Sequence, residues 1–307
     1  MSDIKDLNFM GGRKIAAFIS IALLVISIGS LAVQGLKLGL DFTGGTLIEV
    51  SYETSANVND IRTTLVDAGY RDVAVQHFGS EEEVLVRMQE AYRANLGDEV
   101  LETLRQNSEE DIQLRRSEFV GSQVGEELRD QGGIALLLAL AVVMIYVAAR
   151  FQFKFSVGAV AALMHDVIIV LGIYSLFQFE FDLTVLAALL AVIGYSLNDT
   201  IVVADRIREN FRIIRQMQPI DVINRSLTQT LGRTLITSLT TLLVLLALLI
   251  VGGELIHYFA LALTIGVVVG TYSSVYVASN ILLSMHISRE DLLPPEEEED
   301  PELAERP

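Results

Sequence analysis

Six stretches of this 307-residue chain are long and apolar enough to cross a membrane, and that limits the fold more than any other feature. A hydrocarbon core needs about 20 helical residues at a rise of about 1.5 Å each. Runs that meet this length lie at 14–34, 132–149, 156–177, 183–204, 235–252 and 256–285. The residues are 51% hydrophobic and 20% charged, against about 25% charge in an ordinary soluble domain. The first run has the basic flank of a secretory signal. It is longer than a usual signal core and no A-x-A-like site follows, so it is read as a retained anchor.

Lys and Arg mark one side of the membrane. Arg13 and Lys14 precede the first run, Arg150 and Lys154 lie between the second and third, and Arg206, Arg208, Arg212, Arg215 and Arg225 follow the fourth. The connections at 178–182 and 253–254 carry neither residue. The positive-inside rule then places both termini in the cytoplasm and residues 35–131 outside. The expected organisation is a cytoplasmic N-terminus at 1–13, a first transmembrane helix at 14–34, and an external domain with a stalk at 35–131. Helices two to six then occupy 132–286, with an Arg-rich cytoplasmic loop at 205–233, and a cytoplasmic tail fills 287–307.

The net charge of −17 sits mostly outside the spans: 37–130 holds twenty acids and nine bases, and 289–307 holds nine acids and two arginines. The rest of the chain is slightly basic. Nucleic acid is excluded as a partner, because phosphate binding needs clustered Lys and Arg. With no cysteine there is no disulfide, thiol catalysis or Cys-based metal site.

The external segment alternates elements. Residues 46–53 (TLIEVSYE) have the period of a half-buried strand. Residues 58–68 are helical, with Asn57 as N-cap and Gly69 as terminator. Strands follow at 73–78 and 84–88 around the Gly79-Ser80 turn, then a helix at 96–105 and a strand at 111–118. The fold class is therefore an integral membrane α-helical bundle of six transmembrane helices with an α+β domain between helices one and two. The βαββαβ order of that domain is that of a ferredoxin-like unit. Residues 121–131 read as a helix running straight into helix two, either a plain stalk or a transmitter of motion.

Asp166 is eleventh in a 22-residue apolar run, where a carboxylate costs about 3 kcal/mol on insertion scales. Gly158 and Ala162 precede it at intervals of four, so it shares the small-residue face that packs against other helices. It is either a protonation site or a structural partner for a buried cation or hydroxyl. The fourth run carries Gly194, Tyr195, Ser196, Asn198, Asp199 and Thr200. Asp199 and Arg206 are seven apart and so share a face. This group is either a polar seam beside Asp166 or a helix end emerging into water. The arginines at 206–215 are either a lipid-headgroup-binding helix or ordinary positive-inside charge. Gly266, Gly270, Ser274 and Ala278 form a small-residue ridge for close packing in the last helix. The hydroxyls of Thr234, Thr237, Ser238, Thr240 and Thr241 open the fifth run. His77, His165, His257 and His286 show no metal-ligand spacing, and His165 points about 100° away from Asp166 on a helical wheel. No P-loop, G-x-S-x-G or H-E-x-x-H is present. No enzyme activity, metal or cofactor is expected.

Several strings together resemble the SecF family, the smaller partner in SecD/SecF protein-export complexes. They are GLDFTGG at 39–45, VGSQVG at 120–125, HD at 165–166, GYSLNDT at 194–200, DRIREN at 205–210 and QTLGRTLITS at 229–238. The resemblance covers nearly the whole chain in order. It implies a resistance–nodulation–division superfamily protein of the bacterial inner membrane, with its domain in the periplasm. It also implies SecD, the SecYEG channel and YajC as partners, preprotein as substrate, surrounding membrane lipids, and use of the proton gradient without ATP. The family's proton-coupling positions fall on Asp166, Asn198, Asp199 and Arg206. A passive scaffold for SecD and the channel, or a small-molecule exporter of the same superfamily, are the competing readings. The family implies no function for the acidic tail.

Overall fold

The computed structural model describes residues 6–90, 93–108 and 110–292. The expected acidic tail lies almost wholly outside the described residues. Among the described residues six helices are long and apolar enough to cross a membrane, and the chain is a multi-pass membrane protein. The first, α1 (Arg13–Val33), leads through the two-residue strand β1 (Lys37–Leu38) and the short helix α2 (Leu40–Thr43) into an α+β domain. The domain runs β2 (Gly45–Ser51), α3 (Val58–Asp67), β3 (Ala74–Phe78), β4 (Ser80–Met88), α4 (Leu96–Gln106) and β5 (Gln113–Val120). The bundle is completed by α5 (Ser122–Arg150), α6 (Phe153–Phe177), the two-residue β6 (Glu180–Phe181), α7 (Leu183–Ile213), α8 (Pro219–Val251) and α9 (Glu254–Ser284).

The domain's four strands pair antiparallel in the order β3-β4-β2-β5. The alternation read in 46–53 puts Ile48 and Val50 on one face at 0% exposure, against Leu65 of α3, Val100 and Leu104 of α4, and Val84 and Val86 of β4. Asn57 caps α3 by accepting from the Asn59 amide at 3.0 Å, and Gly69 follows it at φ +99°, where a side chain would be strained.

Residues 205–233 are not a loop. Only 214–218 interrupt two helices that run far beyond the apolar spans, and α8 starts sixteen residues before the expected 235. The reason is amphipathic packing. Val222, Ile223 and Leu227 of α8 close on Ile207 and Phe211 of α7 and on Met10, while Asn210 donates to Ser226 Oγ at 2.8 Å and to Gln229 Oε1 at 2.9 Å. Pro219, in the first turn of α8, brings no N–H to a position where the helix has no acceptor for one. The fourth apolar helix runs past the apolar span at 183–204 to Ile213, so Arg206, Arg208 and Arg212 lie on its helical continuation.

Helix α1 is inside out by soluble standards. It buries Ala16, Ser20, Ser27 and Ser30 and exposes Ile15, Phe18, Ile21, Val25 and Ile28. Lipid gives apolar side chains no reason to hide, so small residues take the contacts where backbones come close. Ser30 and Ser175 share a hydrogen bond of 2.8 Å, and a Cβ on Gly172 of α6 would overlap Ser27. Gly172→Ala is expected to push α1 off α6 and cost about 1–3 kcal/mol. Gly133→Ala, which meets nothing within 4 Å, is expected to be neutral. Thermal unfolding of both variants in detergent measures the difference.

Candidate functional site

Helix α6 is the most buried of the spanning helices; α9 packs closely on it, and α7 packs on α9 and, over a smaller contact, on α6. The ridge on α9 lies in register with a matching row on α7. A Cβ on Gly266 would overlap Val192, one on Gly270 would come 3.0 Å from Ser196 Cβ, and Ser274 Oγ meets Thr200 Oγ1 at 2.8 Å. On α6, a Cβ on Gly158 would come 3.2 Å from the Ala278 carbonyl oxygen, and Ala162 is fully buried. These small residues let three backbones approach around one carboxylate.

That carboxylate is Asp166, 1% exposed. Its Oδ2 accepts from Ser196 Oγ of α7 at 2.5 Å and from Ser273 Oγ of α9 at 2.8 Å. Its Oδ1 lies 3.0 Å from Nδ1 of His165. The helical-wheel separation of these two neighbours does not keep them apart, because the ring swings back along the helix to meet the acid. His165 Nε2 is buried without a partner, and the ring stacks on Tyr272 at 6.2 Å between centroids. Tyr272 in turn donates to the Ala16 carbonyl of α1 at 2.7 Å and lies 3.0 Å from Ser20 Oγ. A polar chain thus crosses from α7 through Asp166 to α1.

The other expected residues fall elsewhere. Asp199 is buried on α7, with Oδ2 unpartnered, and its electrostatic neighbours are Arg233 and Ser238 of α8. Arg206 pairs with Glu209 on its own helix at 2.8 Å, not with Asp199, because the bundle turns the two toward different neighbours. Asn198 is exposed on the outer face of α7, in line with Gly194 and Ala191, so it does not join the seam with Asp166. The cation in Asp199's surroundings was missed in the sequence because Arg233 was assigned to a loop, and the long α8 helix is what carries it there.

A second cluster joins the domain to the bundle. Parallel pairing of β1 with β6 brings Glu180 under the sheet, where it forms an ion pair with Arg87 of β4. Burial pulls the Arg87 guanidinium below its ordinary pKa, against the opposing pull of Asp182, Asp41 and Tyr258. Asp41 Oδ2 also accepts from the Leu183 amide at 3.1 Å, and Phe42 stacks on Phe181 at 5.9 Å. Gly44 and Gly45 stand at φ +72° and +136°, and a Cβ on Gly44 would sit 2.6 Å from Ser122 Cα at the start of α5. A Cβ on Gly125 would come 3.0 Å from the Gly44 nitrogen, so α2 and α5 touch through bare backbone.

Comparison with known proteins gives a consistent answer. The family described as protein export membrane protein SecD/SecF, C-terminal, matches residues 100–288, and the SecD/SecF GG motif matches residues 29–56. The protein translocase subunit SecF of Pseudomonas aeruginosa is 50% identical over 294 residues, covering 95% of this chain and 96% of that one. The SecF of Escherichia coli O157:H7 is 45% identical over 303 residues, covering 94% and 93%. A crystal structure of SecDF, a translocon-associated membrane protein from Thermus thermophilus, aligns with a TM-score of 0.84 at 38% identity, covering 93% of this chain. A SecDF in a super-membrane-facing form aligns at 0.71 and 39% identity. This chain spans 40% and 39% of those two solved chains.

Truncation separates the two clusters. Ser273→Ala removes one donor from Asp166 and is expected to cost about 0.5–2 kcal/mol in detergent unfolding. Ser279→Ala, whose buried hydroxyl has no partner, is expected to cost less. Arg87→Met leaves Glu180 without its ion-pair partner. It is expected to raise amide exchange at 37–45 and 178–183 while the sheet core at 84–86 stays protected, as hydrogen-exchange mass spectrometry would record.

Proposed function

The chain belongs to the SecF family of protein translocase subunits, and on that premise we propose that it uses the proton gradient, together with SecD, to promote preprotein translocation through the SecYEG channel, with YajC as a further partner. Asp166 carries the reading. It is a carboxylate at the middle of the apolar bundle, held by donors from two other helices. An acid kept there at a cost of about 3 kcal/mol is suited to taking up and giving off a proton. Asp199, with Arg233 and Ser238 of α8 beside it, supplies a second protonatable group on the neighbouring helix.

The protein then lies in the bacterial inner membrane with both termini cytoplasmic. The antiparallel β3-β4-β2-β5 sheet and the βαββαβ order support a ferredoxin-like domain, placed in the periplasm by the positive-inside pattern. SecD as direct partner is supported by the outward stripe of Ala191, Gly194 and Asn198 on α7. An amide and a glycine gain nothing from lipid, and both suit close contact with another helix.

Protonating Asp166 loosens its hold on Ser196 and Ser273, and α6, α7 and α9 shift relative to one another. The movement reaches the domain by two connections, α5 with its glycine contact to α2, and the ion pair of Glu180 with Arg87. The SecDF relatives at 38% and 39% identity align with this chain at 0.84 and 0.71, which supports a shape that changes more than sequence accounts for. One proton falling through 100 mV supplies about 2.3 kcal/mol. Driving a two-state element from 1:99 to 99:1 takes about 5.5 kcal/mol, so each cycle uses more than one proton, a pH gradient as well, or a nearly balanced equilibrium.

The test is gradient-dependent preprotein translocation into inverted membrane vesicles, with wild type and Asp166→Asn at matched SecD and SecF levels. The expected result is normal assembly with loss of the gradient-dependent stimulation. Retention of that stimulation would make Asp166 a packing residue and the chain a scaffold.

A further inference from the structure

A groove of about 250 Å³ lies between α1, α6 and α9, and the proposed function leaves it unused. Ala17, Ile21 and Leu24 of α1, Ala161 of α6, and Val277 and Ile281 of α9 give it an apolar wall. It opens to the bilayer, since Ile21 is 61% exposed. One end reaches His165, at the depth of Asp166, and the other lies at Ser284, where α1 begins and α9 finishes. The positive-inside pattern makes that second end cytoplasmic. From Ala16 to Leu24 the groove is about 12 Å long at about 1.5 Å per residue, and one leaflet of hydrocarbon is about 15 Å deep. A volume of about 250 Å³ over that length leaves a cross-section of about 21 Å², about 5 Å across. A helix with its side chains is about 10–12 Å across and needs roughly 80 Å² or more. A single hydrocarbon chain, whose carbons pack about 3.5–4.0 Å from their neighbours, is what this width admits.

The cytoplasmic end carries a second, independent observation. Arg13, Ala17, Ser20 and Leu24 recur at i, i+4, i+7 and i+11, so Arg13 heads the stripe of α1 that lines the groove. Lys14 stands beside it, seven residues before Ile21 of the same wall. Among the described residues neither cation forms an ion pair. Asp291, at this end of the bundle, is taken by Lys154 at 2.7 Å. On the facing wall Asn280 lies one turn inside Ser284, and its side chain makes no hydrogen bond among the described residues.

We propose that the groove is a binding site for one acyl chain of an anionic phospholipid of the cytoplasmic leaflet, with its phosphate held by Arg13 and Lys14. The Asn280 amide then donates to an ester carbonyl just below the phosphate. Shape selects the chain and charge selects the headgroup. A zwitterionic lipid fits the groove as well but brings no net charge to the two cations. One Lys or Arg near an anionic lipid surface is worth about fivefold in binding, so the pair favours the anionic lipid by about fivefold to 25-fold. The inference stands apart from the proton-coupled reading of Asp166 and neither supports nor needs it.

The chain has no tryptophan, so one introduced indole reports on the groove alone. Tyr276→Trp places it in the wall, and Val142→Trp, on the exposed face of α5, samples ordinary lipid contact at a similar depth. Each full chain is reconstituted by itself in phosphatidylcholine vesicles containing phosphatidylglycerol, with bromine on the acyl chains of one lipid or the other. Quenching then gives the relative binding of the two lipids at each indole. The expected result is a preference of about fivefold or more for brominated phosphatidylglycerol at Tyr276→Trp, and no preference at Val142→Trp. Adding Arg13→Gln and Lys14→Gln to Tyr276→Trp is expected to abolish the preference while quenching by both lipids remains. Equal quenching by the two lipids at Tyr276→Trp would make the groove an ordinary part of the lipid-facing surface and overturn the proposal. Quenching by either lipid weaker than at Val142→Trp would show that no acyl chain enters, and would overturn it as well. A preference that survives loss of both cations would remove the headgroup from Arg13 and Lys14. The comparison of Tyr276→Trp with Val142→Trp decides the site even where the doubly neutralised chain does not fold.

Discussion

A carboxylate in the middle of a membrane bundle has to be surrounded by donors, and the helices that supply them cannot then pack anywhere else. Asp166 takes one hydroxyl from α7 and one from α9, at 2.5 and 2.8 Å. Both reach it only because Gly270 and Ser274 stand opposite Ser196 and Thr200 and let the helices close on each other. Larger residues along that ridge would hold the backbones apart, and the acid would lose its donors. The cost of the charge and the smallness of the ridge are therefore one constraint expressed on two helices.

The same economy of contact governs the rest of the membrane part. The serines of α1 face inward and its isoleucines face outward, because in lipid only close approach and hydrogen bonding distinguish one side of a helix from the other. The domain is joined to the bundle in a different way. There the chain uses bare backbone at Gly44, Gly45 and Gly125, an aromatic stack of Phe42 on Phe181, and one arginine among acids.

What could be read from the sequence follows from what hydropathy and periodicity report. Six apolar runs announce six spans, and the alternation around Ile48 and Val50 announces a strand with one buried face. Hydropathy reports only affinity for lipid, so it says nothing of the amphipathic turns at 219–234 that extend α8 and form its hairpin with α7. Spacing placed Arg206 on the same face as Asp199. It could not show that this face looks toward Arg233 on another helix while Arg206 turns to Glu209. For Asn198 the sequence offered no way to choose between an inward and an outward face, since α7 is apolar almost all round. The contact of His165 with Asp166 depends on side-chain rotation, which a wheel drawn from Cα positions omits. Arg87 and Glu180 are brought together by a pairing of two-residue strands, too short to leave a pattern.

Helix α5 is unbroken from Ser122 to Arg150, through the membrane and out to the sheet. At about 1.5 Å per residue its 29 residues make a rod about 44 Å long. A rod of that length works as a lever. Tilting it by about 10° about its inner end would carry the outer end some 8 Å sideways, by the same rise per residue. Because the glycines fix α2 against its outermost turn, the sheet cannot stay behind. A rearrangement no larger than the loss of a few hydrogen bonds in the bundle would thus be geared up into a stroke more than two residues of extended chain long, at about 3.3 Å each.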